Sequence, residues 1–256
     1  MDLLLSLQSA DELHIASDYS FRWLDLKNPL AGSLGCPEEE VAEEFLEVAD
    51  QLPGRSEWTL SVAIGELLKS TSTCKENGVD KQSQFPLPLS HRNLNRFDYI
   101  KVALAGSSNC LSWTDRAASL SQQLGAPSKL ILVHYADHHL AGSVDWTSTL
   151  SVSRDLGCEY ILVDTFDKKA GRLTDWLSPD ECRRCATEAE RLGLKLSLAG
   201  SLRIEDFRTL KKTGASILGI RGAACAEGSR VSGLCRDRLQ KLSRYLANGR
   251  LAIELR

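Results

Sequence analysis

The chain has 256 residues, 43% of them hydrophobic and 25% charged, with a formal net charge of −3. That length suits one large α/β domain with a sizeable core. The near-neutral balance excludes a broad nucleic-acid-binding or polybasic membrane surface and leaves room for a local basic pocket.

In chain order, the opening "MDLLLSLQSADELH" lacks a basic region, and its apolar run is too short for a signal or spanning segment. The expectation is a cytoplasmic protein with neither membrane nor nucleic acid as partner. Short β-branched or leucine-rich runs then recur. They are "LLLSL" from Leu3, "RWLDLK" from Arg22, "WTLSVAI" from Trp58, "DYIKVALA" from Asp98, "LILVHYA" from Leu130, "YILVD" from Tyr160, "KLSLA" from Lys195 and "SILGIR" from Ser216.

Helical patterns lie between them. Ser9 with Glu12 three residues on reads as a capping box. Pro37 opens "PEEEVAEEFLEVADQL", where early carboxylates suit the positive helix end and Val41, Phe45 and Val48 recur at helical spacing. Further helices are predicted over "WTDRAASLSQQLG", "VDWTSTLSVSRDLG", "SPDECRRCATEAERLG", "RIEDFRTLKKTG" and "CRDRLQKLSRYLANG", several ending in the glycine that stops helices.

Eight strands alternating with helices imply parallel pairing, and at this length a TIM (β/α)8 barrel formed as one domain over 1–256. A doubly wound open sheet is the alternative, although no GxGxxG follows the first strand. The polar stretch over 66–96 is the least regular; it should hold the third helix, with a longer variable loop. Eight scattered cysteines do not make the framework of a small secreted domain. "CRRC" at Cys182–Cys185 lacks a second Cys/His pair at zinc spacing and reads as packing. His134, His138 and His139 have no matching carboxylate spacing, so no metal is expected.

Side chains alternate along a strand, so Asp25 and Lys27 share one face and Leu24 and Leu26 the other. In a barrel the leucines meet the helices and the charged pair points to the mouth, where catalytic groups gather. The same parity turns Lys101 inward, while Asp164 ends its strand and Lys168 follows. Singly, such residues are usually snorkelling lysines or helix-capping aspartates. Five converging from three strands are harder to dismiss, because burying uncompensated charge costs several kcal/mol per ion. A lysine attacks a carbonyl only as the free amine, which from a reference pKa of ~10.4 needs a shift of roughly three units near neutrality. Desolvation and nearby cations supply such a shift, which favours Lys27 as the nucleophile. After the seventh and eighth strands, "LAGSL" and "GIRGAAC" put Gly200, Ser201 and Gly222 at the usual phosphate position of this fold, with Arg221 as a guanidinium fork. The two halves together point to a phosphorylated carbonyl substrate.

"LDLKNPLAGSLG", "DYIKVALAG", "LVDT", "LAGS" and "GIRGAAC", in that order and spanning almost the entire chain, resemble the (5-formylfuran-3-yl)methyl phosphate synthase family, also called 4-(hydroxymethyl)-2-furancarboxaldehyde-phosphate synthase. The resemblance implies a TIM barrel that condenses two molecules of glyceraldehyde 3-phosphate into a phosphorylated furan aldehyde, losing phosphate and water, for methanofuran-type cofactor synthesis. It further implies Lys27 as the Schiff-base lysine, Lys101 as the proton-transferring lysine, and Asp25, Asp164 and Lys168 as supporting groups. No metal or organic cofactor is implied. Two places depart from the family pattern: the stretch after Gly65 is longer and lacks a Pro-Gly-Thr segment, and the loop after "RGAAC" reads "AEGSRVSG". Both bear on how the second substrate molecule is held. Another class I aldolase of triose phosphates and a non-catalytic phosphate-binding barrel are the rival readings, and the oligomeric state, a homo-oligomer included, is left open.

Overall fold

In a computed structural model, which describes residues 1–68, 85–125 and 129–254, with side chains through residue 247, the strands form a closed parallel barrel in sequence order. They are β1 (Asp2–Leu7), β2 (Trp23–Leu26), β3 (Thr59–Glu66), β4 (Tyr99–Ala103), β5 (Leu130–Tyr135), β6 (Tyr160–Asp164), β7 (Lys195–Leu198) and β8 (Ile217–Ile220). The TIM-barrel expectation holds and the open sheet is excluded. The ring closes where Leu4 of β1 pairs with Gly219 of β8.

Ten helices of the described residues fill the connections: α1 (Ala10–Ser17), α2 (Glu39–Gln51), α3 (His91–Leu94), α4 (Trp113–Leu124), α5 (His138–Ala141), α6 (Trp146–Asp155), α7 (Leu173–Trp176), α8 (Pro179–Arg191), α9 (Ile204–Leu210) and α10 (Arg236–Glu254). Among the described residues, no helix is long and apolar enough to cross a membrane. The helix α8 illustrates why these segments form. Ser178 and Glu181 make a reciprocal capping box. Cys182, Cys185, Ala186 and Ala189 then recur at helical spacing and are its buried face. Burial pushes the two thiols up to about 11 and about 12, so "CRRC" packs as thiol rather than thiolate.

Three local expectations are adjusted. The second helix begins at Glu39, with Glu38 as its cap, rather than at Pro37. Ser9 Oγ does accept from Glu12 N–H at 3.3 Å, but the Glu12 carboxylate takes Gln8 N–H at 2.9 Å instead of closing the box. The third helix is the single turn α3, preceded by buried Phe85 and Leu89. Much of the variable stretch, 69–84, lies outside the described residues.

Outward-facing residues such as Leu24, Leu26, Ile100 and Val102 join the helices in one large core. The inward face is a second cluster. Its lower end is closed by aromatics: the Trp23, Tyr99 and Tyr160 rings lie 5.2–5.3 Å apart. Stacked and edge-on contacts of this kind are each worth about 0.5–1.5 kcal/mol beyond area burial. They make an aromatic floor, and Asp25, Lys101 and Lys27 stand above it.

Candidate active site

Two strand positions above Trp23 comes Asp25, fully buried. Its register partners are Ser6 on β1 and Ser61 on β3, and both hydroxyls donate to its carboxylate, at 3.0 and 2.8 Å. Lys101 Nζ from β4 lies 2.5 Å from Asp25 Oδ1. Three donors therefore compensate a carboxylate that burial alone would make costly. The serines were legible as breaks in the apolar runs "LLLSL" and "TLSVAI" at inward parity.

Two positions further up is Lys27. Its N–H still pairs with Leu7 O at 2.9 Å, extending the ladder past β2. The "NPLAGSLG" loop then folds back, with Asn28 N–H donating to Gly35 O at 2.8 Å. A Cβ at Gly35 would sit 2.2 Å from Asn28 O, so only glycine permits this return. The loop delivers Leu34 into the inner cluster and Ser33 Oγ to 3.2 Å from Asp164 Oδ2 and 2.8 Å from Thr165 O.

Asp164, at the end of β6, accepts from Lys168 Nζ at 2.5 Å and Thr165 N–H at 2.7 Å. Asp137 accepts the N–H groups of Phe166 and Asp167 at 2.7 and 2.9 Å, fixing the loop that carries Lys168. Nearby His134, packed on His138 and Trp146, is pushed down to about 4, by burial first and by His138 second, and is a neutral ring.

The charges bear on one another. Burial, aided by Lys101 and Lys168, lowers the Lys27 amine to about 7 against the pull of Asp164 and Asp25. Burial would raise Asp164, but Lys168 and Lys27 outweigh it and hold the carboxyl below its ordinary value. Lys168 is itself lowered, by burial, with Asp164 opposing. The structure brings together all five charges expected there: Asp25, Lys27 and Lys101 by strand parity, Asp164 at its strand end and Lys168 in the loop that follows.

Above them opens a cavity of ≈ 810 Å³, lined by Lys27, Lys101, Asp164 and Lys168 and by Gly200, Ser201, Arg221 and Gly222. Its described lining holds nine lysines and arginines against three acidic residues, a field that favours an anionic ligand. Gly200 and Ser201 follow β7 with φ of +114° and +52°. A serine in the left-handed region costs roughly 1–2 kcal/mol, and such strain gathers at ligand sites.

Arg221 calls for a correction. Its place after β8 marks it as a phosphate ligand, yet its guanidinium is fully engaged within the protein. Nη1 donates to Glu12 Oε2 at 2.8 Å and Ser6 O at 2.9 Å, and Nη2 to Glu12 Oε1 at 3.1 Å and Ser232 O at 3.2 Å. Nε donates to Arg230 O at 2.5 Å. A guanidinium has five N–H donors, and all five are taken. Arg221 instead clamps the loop that follows it. Sequence reasoning also missed Arg230, which lines the cavity from that loop.

Compared with known proteins, residues 3–243 match the sequence model of the 4-HFC-P synthase family. The chain is similar to the (5-formylfuran-3-yl)methyl phosphate synthase of Methanopyrus kandleri, with 32% identity over 249 residues, 96% of this chain and 98% of that one. Its counterpart in Methanocaldococcus jannaschii is 28% identical over 236 residues, 91% and 94% of the two chains. Among solved structures, phosphoribosyl anthranilate isomerase from Thermus thermophilus superposes with a TM-score of 0.57 at 13% identity, covering 97% and 99% of the two chains. A structure described as native KDPGal gives 0.56 at 10% identity, covering 99% and 97%. At such low identity these two speak for the barrel alone.

Proposed function

The chain belongs to the 4-HFC-P synthase family, and from that premise we propose that it makes (5-formylfuran-3-yl)methyl phosphate from two molecules of glyceraldehyde 3-phosphate by way of a Schiff base on Lys27. The observation that carries this reading is the amine of Lys27, lowered to about 7 inside a cationic cavity and facing an ionised Asp164.

The free amine adds to the aldehyde carbon of the first triose, and loss of water leaves an iminium. That cation withdraws electrons from the adjacent carbon, whose proton is transferred to a base. Lys101, seated on Asp25 yet lining the cavity, relays that proton. Asp25 holds Lys101 in place, and Asp164 balances the iminium charge. The resulting enamine attacks the second aldehyde, and Lys168, hydrogen-bonded to Asp164, protonates the alkoxide that forms. The aldol step restores the iminium; the C2 hydroxyl of the second triose then adds to that carbon and expels the Lys27 amine, closing the ring, and loss of water and phosphate completes the furan. The backbone of Gly200, Ser201 and Gly222 receives a substrate phosphate. The product serves methanofuran-type cofactor synthesis.

The test is incubation with glyceraldehyde 3-phosphate, followed by borohydride and mass analysis of protein and product. A reduced adduct on Lys27 and an ultraviolet-absorbing furan phosphate are expected. An adduct that persists in Lys27→Ala, or an aldol product without a furan, refutes the reading.

A further inference from the structure

Two triose phosphates bring two phosphates, and the reading above assigns one of them to the turn after β7 and Gly222. The other must meet a cation that is free to bind it. Arg221 is not free. The loop that Arg221 clamps, 225–235, is pinched at its neck by an antiparallel bridge between Cys225 and Leu234, with Ala226 N–H donating to Gly233 O at 3.0 Å and Cys235 N–H to Ala224 O at 2.9 Å. Its middle is held from below, because Arg221 donates to the carbonyls of Arg230 and Ser232. The loop is thus a strap fixed by its backbone, which leaves its side chains available.

Arg230 is the cation on that strap. Its Nη2 donates to Gly32 O at 2.7 Å, in the loop that follows Lys27. The side chain thereby reaches from the end of β8 to the end of β2. Among the described residues this is the one hydrogen bond its guanidinium makes, so the remaining N–H groups of the fork are available at the cavity wall. It is close enough to Asp164 and Lys168 to enter their electrostatics.

We infer that Arg230 is the ligand for the phosphate of the second triose, the aldehyde that the Lys27 enamine attacks. The inference rests on the synthase reading above. A bidentate guanidinium–phosphate contact orients the incoming aldehyde, and the tie of Arg230 to the loop after Lys27, with Asp164 and Lys168 within its electrostatic reach, keeps that aldehyde on the side of the reacting carbon. The first triose, covalently held and seated by the β7 and β8 turns, does not need it.

The test separates the two molecules. Wild type, Arg230→Lys and Arg230→Gln are each given glyceraldehyde 3-phosphate, and two quantities are read: borohydride trapping on Lys27 and furan formation. Trapping within about twofold of wild type in both variants is expected, with furan formation down at least a hundredfold in Arg230→Gln and less in Arg230→Lys, which keeps the charge but not the fork. Furan formation within twofold of wild type in Arg230→Gln overturns the proposal, as does a parallel loss of trapping and turnover in both variants. If wild type itself is not trapped, it is the synthase reading that fails.

Discussion

Lys101 Nζ lies 2.5 Å from Asp25 Oδ1, with 3% of the lysine and none of the aspartate exposed. This buried pair stands one layer beneath Lys27 and acts on it with both signs, since Lys101 lowers the Lys27 amine and Asp25 raises it. Removing one partner must therefore shift the amine in a direction that depends on which is removed.

Lys101→Met takes away a repelling cation, so Lys27 should hold its proton to higher pH; Asp25→Asn takes away an anion and should let the proton go at lower pH. Each single change also strands a buried charge, at a cost of about 3–5 kcal/mol. The pH dependence of borohydride trapping reads the first effect and urea unfolding the second. Midpoints that move the same way in both variants would contradict the layered arrangement.

Lys27 also makes stability depend on pH. Its amine falls from 10.5 to about 7 on folding, so between those values the unfolded chain binds a proton that the native chain lacks. Stability then rises with pH across that window; the penalty is fully present below pH 7 and gone above 10.5. Lys27→Met abolishes it, and the variant should be more stable than wild type near neutrality by on the order of 1–3 kcal/mol, discounted because the cavity is open to water. Urea titrations near neutral and at alkaline pH measure the gap. It should shrink as pH rises, and a constant gap would rule out Lys27 as its source.

The fold was legible because each strand is a short apolar run bounded by polar or glycine residues; Asp25, Lys27 and Lys101 were legible because strand parity is strict, and Asp164 and Lys168 because they stand at and just past a strand end. The place of Arg221 after the eighth strand put it at the cavity but could not name its partner. Glu12 lies 209 residues away in sequence and already had a local explanation in the first helix cap. Both ends of the ion pair therefore looked accounted for. The loop "AEGSRVSG" stood out by its departure from the family pattern, but nothing in it marked Arg230 itself, since a bridge between Cys225 and Leu234 and the Arg221 clamp shape that loop. Contacts between distant segments leave no periodicity to read.

The Glu12–Arg221 pair should consequently matter to the strap rather than to the chemistry. Glu12→Gln leaves Arg221 as a buried cation without its counter-charge, at a cost of about 3 kcal/mol. With the clamp loosened, residues 228–233 should exchange their amide protons faster, and KM should rise roughly tenfold, equivalent to about 1.4 kcal/mol, with kcat less affected. Hydrogen exchange and steady-state kinetics check this together. Unchanged protection over the strap alongside a lower unfolding midpoint would confine the pair to stability.

Gly222 and Gly228 test the same strap by contrast. A Cβ on Gly222 would lie 2.8 Å from the Gly228 carbonyl oxygen, a backbone atom with no flexible end to move aside. Gly222→Ala should therefore displace the strap, at about 1–3 kcal/mol, and raise KM both by disturbing the phosphate seat at Gly222 and by drawing Arg230 away from Gly32. Gly228 has φ of +74° but nothing within 4 Å of its would-be Cβ. Gly228→Ala meets backbone strain without a collision, costs about 1–2 kcal/mol, and should leave KM within roughly twofold. The two alanines thus lose similar stability for different reasons, and only the one that collides should weaken binding. If both raise KM equally, strap position and substrate grip are not linked in the way the contacts between these two loops require.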